Sequence, residues 1–354
     1  MTRRQWLSRS VLAVAGVAVA RVPTLRAARR DVRVGGRRVT VVDGHAHCTV
    51  PEVLDVVKGT DLERSVSGAV SGPLVVKPER IAAMDEQGID IEVLSINPYW
   101  YGADRELARR IVTVQNEGLA AICKAHPDRF VALASVALQH PDLAAEQLAD
   151  AVTTHRLRGA AIGGSVNGEE LSAPKFEPFW AKAEQLGVVV FIHPQGIPDV
   201  RARVQGNGFL SNVIGNPLET TIALSHLIFE GTLDKFPNLK ICSAHGGGYL
   251  PSYAARSDHG CITFPANCTK TLKKKPSEYL KQMYYDSLVF TGEGLRHLVA
   301  ECGASQIVVG TDYPFPWTST AVDHVLATPG LSDADKTAIL GGNLIKLLRI
   351  GAAS

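Results

Sequence analysis

The 354-residue sequence predicts an α/β chain folded as one (β/α)8 barrel of the TIM type. Short β-branched runs alternate with amphipathic stretches from Val39 onward, the pattern of a parallel sheet with helical crossovers. The strand-like runs number eight, enough to close a barrel. Residues able to hold a metal or move a proton follow several of these runs directly, where a parallel barrel carries its chemistry.

The elements follow in order. Val39-Thr40-Val41-Val42 opens the first strand (39–43), and a long connection at 48–78 leads to a helix at 79–87. The second strand (89–96) precedes an amphipathic helix at 104–125, the third (130–138) one at 141–156, and the fourth (159–163) one at 178–186. The fifth (188–192) is followed by a connection at 194–216 and a helix at 217–230. The sixth (239–244) leads to a short helix at 250–257 and a third long connection at 258–280. The seventh (284–288) and eighth (307–310) precede helices at 294–301 and 333–348. Long connections of this kind build the walls of substrate pockets. With no internal repeat, low-complexity tract or Ser/Gly linker, residues 31–354 read as a single catalytic domain.

A composition of 45% hydrophobic and 20% charged residues excludes a disordered chain, a collagen-like repeat and a coiled coil. The net charge of +2 argues against a nucleic-acid partner, but it is unevenly distributed. Residues 1–30 hold seven arginines and no acid, so the remainder carries 30 basic against 35 acidic residues, a formal −5. Paired Arg3-Arg4, the apolar run from Val11 to Ala20 and small residues at Ala18 and Ala20 resemble a twin-arginine export signal. That run is too short for a membrane span, so a periplasmic or secreted protein is expected; the alternative is a basic tail on a cytoplasmic enzyme. Of six cysteines none forms a C-x-x-C pair; Cys261 and Cys268 can be bridged in an oxidising compartment, and buried free thiols are expected for most of the others.

The chemistry gathers at the strand ends. Strand one ends in Asp43-Gly44-His45-Ala46-His47, and in an extended segment side chains two apart share a face, so one ion can take both imidazoles. Strand five ends in His193-Pro194, strand six in Ala244-His245-Gly246-Gly247-Gly248, and strand eight in Gly310-Thr311-Asp312-Tyr313-Pro314. His45, His47, His193 and Asp312 are assigned as ligands of one divalent metal, zinc by donor type, with manganese or iron as alternatives. His245 is assigned as general acid/base, because imidazole titrates near neutral pH; Asp312 is a second candidate to take a proton. The remaining histidines sit in or beside helical patterns and are expected to be surface or packing residues.

These motifs, D-x-H-x-H, HP, AHGGG-x-x-P and GTDYPF, resemble the amidohydrolase superfamily, more narrowly its mononuclear metal-dependent decarboxylase branch, which is aminocarboxymuconate-semialdehyde decarboxylase-like. The resemblance spans Val39 to Ile350. It implies a (β/α)8 barrel of the metal-dependent hydrolase type, one metal ion, usually zinc, and His245 as the acid/base. Strand four contains no lysine, where two-metal relatives commonly carry a carboxylated one, which favours a single ion. The resemblance also implies arginines that hold the substrate carboxylate, at positions matching Arg80 and Arg256, by paired hydrogen bonds. One departure is Gln195, directly after HP, where those decarboxylases carry a tryptophan; its hydrogen-bonding amide is assigned to substrate binding in place of an aromatic wall.

The sequence therefore leads to a metal-dependent, non-oxidative carboxy-lyase acting on a small unsaturated or aromatic carboxylic acid. Electrons left by departing CO2 need a conjugated sink. Two alternatives use the same residues: a hydrolase of a lactone, ester or amide, with hydration of an unsaturated acid as its variant, and a non-catalytic exported ligand-binding barrel. A homodimer is implied by the resemblance alone.

Overall fold

The computed structural model describes residues 29–268 and 272–351, so the body of the expected export segment lies outside the described residues. Its last two residues lie inside and are tied to the barrel: Arg29 pairs with Asp85 and Asp90, and Arg30 with Asp323.

Eight parallel strands form the barrel: β1 (Val42–His47), β2 (Ile91–Ser95), β3 (Phe130–Ala132), β4 (Gly159–Gly163), β5 (Val189–His193), β6 (Lys240–Ser243), β7 (Tyr284–Asp286) and β8 (Ile307–Val308). The ladders β1–β2–β3 and β4–β5–β6–β7–β8 are joined by parallel bridges at Ala134–Ala160 and Ala46–Tyr313, which close the ring. Val42, Val93, Leu133, Ala161, Val189, Phe191, Cys242, Ala244 and Val308 share one apolar cluster in the lumen, and Leu344, Leu347 and Leu348 of the C-terminal helix pack against it. Val189, Phe191 and His193 alternate along β5, so the residue after two apolar layers is the imidazole at the rim.

Eight principal helices surround the strands: α1 (Pro78–Gln87), α2 (Arg105–Ala125), α3 (Pro141–Thr153), α4 (Glu177–Leu186), α5 (Asn216–Phe229), α6 (Ala254–Thr263), α7 (Gly292–Cys302) and the C-terminal α8 (Asn343–Leu347). α2 starts where Asp104 accepts the Leu107 N–H at 2.8 Å, and α7 where Thr291 accepts from Gly294 at 3.0 Å. Among the described residues no helix is long and apolar enough to cross a membrane.

The differences from the expected elements have local causes. Strand three is regular only to Ala132 and pairs on through Ala134; beyond it side chains take over, Asn116 clasping the Ser135 N–H and C=O and Gln147 accepting the Ala137 N–H. The sixth helix begins at Ala254 rather than 250, after a single tight turn over Pro251–Tyr253. The final expected helix begins as Asp333–Thr337 and widens by one residue per turn over Ala338–Gly342, where a Cβ on Gly341 would meet the Thr40 carbonyl at 2.0 Å. The 48–78 connection holds two helices, Val53–Val57 and Glu63–Val70, too short for a clear periodic signal. Another short helix, Ala321–Ala327, was not anticipated from sequence. Cys261 and Cys268 form a disulfide. Cys48, Cys123, Cys242 and Cys302 are free thiols pushed up by burial, as expected of inert core cysteines.

Candidate active site

His45 and His47, two apart on β1, face the same centre, and the strand carries an irregularity between Asp43 and Ala46. Asp43 braces that bend by accepting the His45 N–H at 3.0 Å and the Thr311 N–H at 3.1 Å, tying β1 to the segment after β8. Thr311 also donates its hydroxyl to Asp43. Asp312 follows with φ of 61° and His245 has φ of 55°, both in the left-handed region that side chains other than glycine rarely adopt. The strain falls on two residues that face the site.

Their side chains converge. Nε2 of His45 and Nε2 of His47 are 3.0 Å apart, and Asp312 Oδ1 lies 2.9 Å from His47 and 3.2 Å from His45. One ligand atom from each of His45, His193, His245 and Asp312 falls within 4.8 Å of all the others. Ligands held at 2.0–2.1 Å from one ion lie roughly 3–3.5 Å from each other, so the spacing of His45, His47 and Asp312 fits a single ion. Two buried ring nitrogens, Nδ1 of His193 and Nδ1 of His245, have no hydrogen-bond partner. An imidazole- and carboxylate-rich cluster with such close nitrogens fits a borderline divalent cation.

The residue that sequence reasoning missed is Asp286, at the end of β7. Its Oδ2 accepts from Nδ1 of His45 at 2.6 Å and from the His245 N–H at 2.8 Å; its Oδ1 accepts the Gly246 N–H at 2.9 Å and the Leu288 N–H at 3.0 Å. A proton held on Nδ1 leaves Nε2 of His45 bare, the form a metal ligand requires. The available signal was an acid at a strand end. The expected strand ran through 288, which placed Asp286 in its interior.

Electrostatics follow from burial against these contacts. Burial opposes the charged form of His45, yet Asp312 and Asp286 raise its pKa to about 10. Burial pushes His47 down to about 4, and burial with the neighbouring imidazoles pushes His193 well below the ordinary value. For Asp312 burial favours the neutral acid, but His45, His245 and His47 outweigh it and hold the carboxyl far below the usual range. Asp312 is thus held as a carboxylate and His47 and His193 as neutral imidazoles, donor forms that suit a cation.

His245 stands at the edge of this cluster, with Nε2 3.7 Å from Asp312 Oδ2. A cavity of about 380 Å³ is lined by His245, Asp312, Tyr249, Leu288, Phe290 and Trp317, among others. A neighbouring cavity of about 560 Å³ is lined by His193, Asp312, Asn97, Gln195, Phe315 and Trp317, among others. Glu219 on α5 sets the rim after β5 by accepting the N–H groups of Gln195 at 2.6 Å and Gly196 at 2.5 Å, while the Gln195 amide donates to the Pro98 carbonyl.

The two arginines are placed elsewhere. Arg80 is 2% exposed: its Nε donates to Glu92 at 2.6 Å, its Nη1 donates to the His47 carbonyl at 2.7 Å, and its guanidinium lies 4.7 Å from the Tyr313 ring centre. Arg256 is exposed on α6. Neither of the two cavities is lined by an arginine or lysine among the described residues. Thus His45, His47, His193, His245 and Asp312 assemble, Gln195 borders them, and the expected carboxylate-binding arginines do not line the cleft.

A sequence profile described as amidohydrolase matches residues 42–350. The chain is 33% identical over 272 residues to the 2-amino-3-carboxymuconate-6-semialdehyde decarboxylase of Dictyostelium discoideum, covering 76% of this chain and 75% of the relative. The crystal structure of 5-carboxyvanillate decarboxylase from Sphingomonas paucimobilis superposes with a TM-score of 0.81 at 26% identity, over 88% of this chain and 99% of that one. A dihydroxybenzoic acid decarboxylase from a Polaromonas species, solved with bound manganese and the inhibitor 2-nitroresorcinol, gives 0.78 at 26% identity, over 89% and 98%.

Proposed function

The chain belongs to the amidohydrolase family, and on that premise we propose that it is a metal-dependent decarboxylase of a small aromatic or conjugated carboxylic acid. The observation that carries this reading is one cavity wall on which His245, Asp312 of the ligand cluster, and the apolar Leu288, Phe290 and Trp317 meet. His45, His47, His193 and Asp312 would hold the ion, zinc by donor set, with manganese the ion found in the Polaromonas relative. Lewis-acid polarisation of substrate oxygens is the chemistry a bound divalent ion supplies.

This chain's residues supply the rest. The bond between the ring carbon and the carboxylate breaks, its electron pair enters the conjugated system, and CO2 leaves. His245, through Nε2, moves the proton that replaces CO2 on that carbon. Asp286 holds the His245 backbone and the His45 ring in register, so proton carrier and ligand cluster keep a fixed separation. Buried Leu288 gives the cavity an apolar wall beside His245. Arg80 acts at one remove, holding the His47 carbonyl and neutralising Glu92.

The test is a CO2-release screen of the metal-loaded protein against hydroxylated aromatic and conjugated acids. One CO2 per acid consumed is expected; no CO2 across the panel, or a gain of one water without CO2, overturns the reading. We further propose export to an oxidising compartment through the basic leader, a reading supported by the Cys261–Cys268 disulfide. Fractionation after replacing Arg3-Arg4 by Lys-Lys should move the protein from the periplasm to the cytoplasm.

A further inference from the structure

We infer that Trp317 is the platform on which the substrate ring lies, and the residue that makes the site prefer flat aromatic acids over flexible open-chain ones; this rests on the decarboxylase reading above. Trp317 follows Asp312 by five residues and lines both cavities of the cleft, which also share Asp312 and Asn212. Two further rings adjoin it. Phe209, on the connection after β5, stacks parallel to it with ring centres 6.2 Å apart and planes 11° apart, and Phe290, after β7, lies at 6.3 Å and 47°.

Three loops thus contribute aromatic rings around the indole, and Phe315, two residues before it, lies 5.5 Å from the His47 ring, so the loop after β8 runs from the ligand cluster to Trp317. Gln195 lines the larger cavity too, but its amide is engaged by the Pro98 carbonyl, so the broad aromatic surface comes from the loop after β8 instead. An aromatic face attracts another ring by offset stacking and loses little side-chain freedom on binding. It also has a chemical consequence. The electron pair of the breaking bond can enter the ring only when that bond leaves the ring plane as the new C–H bond forms. A platform that fixes the plane fixes that direction relative to His245.

Intrinsic fluorescence gives a readout independent of turnover. Among the described residues Trp100 and Trp180 are buried, which leaves Trp317 as the tryptophan a cleft ligand can reach. Titrating the metal-loaded full chain with 2-nitroresorcinol should quench emission, and most of that quenching should vanish in Trp317→Phe while binding persists. Trp317→Ala should weaken binding by about 3- to 10-fold. In turnover, Trp317→Ala should raise KM for an aromatic acid by a similar factor, with a smaller change for an open-chain conjugated acid such as muconate. Trp317→Phe should restore most of the loss, and Phe209→Ala should fall between. Wild-type binding in Trp317→Ala, or equal losses for ring and open-chain acids, overturns the platform. Quenching through Trp317 without CO2 release from any acid would sink the decarboxylase reading and leave the platform standing.

Discussion

His45 and His245 sit within one cluster but are asked to do different things. His45 is completely buried and its Nδ1 is committed to Asp286, so only its Nε2 is left to face His47 and Asp312. His245 is partly exposed and borders the apolar cavity, so it can meet substrate. His45→Ala should therefore abolish metal retention measured by elemental analysis. His245→Ala should keep the metal and lose roughly 10²–10⁴-fold in kcat, the usual worth of a positioned acid/base. Unchanged metal content in the first variant, or full turnover in the second, would reverse these assignments. Arg80 offers the opposite case, a side chain whose sequence position suggested substrate binding and whose surroundings show a buried ion pair. Replacing it with Met strands Glu92 and should destabilise the fold by about 3–5 kcal/mol in denaturant unfolding. A stable Arg80→Met variant with only a raised KM would return the residue to substrate binding.

The elements explain why the cluster holds its geometry. The turn after β6 runs through three glycines, and a Cβ on Gly248, where φ is +65°, would meet the Pro217 carbonyl at 2.2 Å. α5 therefore packs against this turn only because no side chain is there. Gly248→Ala should lower thermal stability by about 1–3 kcal/mol and displace His245, so kcat falls more than metal content. Equal Tm and kcat to wild type would show that the turn tolerates a side chain. β7 does comparable positioning through Asp286, whose two oxygens reach β1 and the turn after β6 together.

Across the barrel, β1, β5 and the segment after β8 are brought together, and the ion would cross-link these three. Binding to the native state alone shifts unfolding by mass action, about 2.7 kcal/mol at a hundred times Kd. Chelation should therefore lower Tm by several degrees, with recovery on adding zinc or manganese; an unchanged Tm would mean the cluster does not carry a tightly bound ion. The alternation of β-branched runs and amphipathic stretches was sufficient for eight strands in order, and the strand-end positions of His45, His47, His193, His245 and Asp312 were sufficient for the candidate site. Both are local signals: period and position along the chain follow from backbone geometry. Asp286 and Trp317 carry no such mark, because an acid or an indole near a strand end acquires its role only from what faces it. The fate of Arg80 was equally undecidable from sequence, since Glu92 and the His47 carbonyl approach it through the packing of α1 against β2. The order of the strands and the donors at their ends are legible along the chain. Tertiary structure alone decided which donors converge, which carboxylate orients them and which aromatic faces the cleft, because those depend on distances across a closed barrel rather than along the chain.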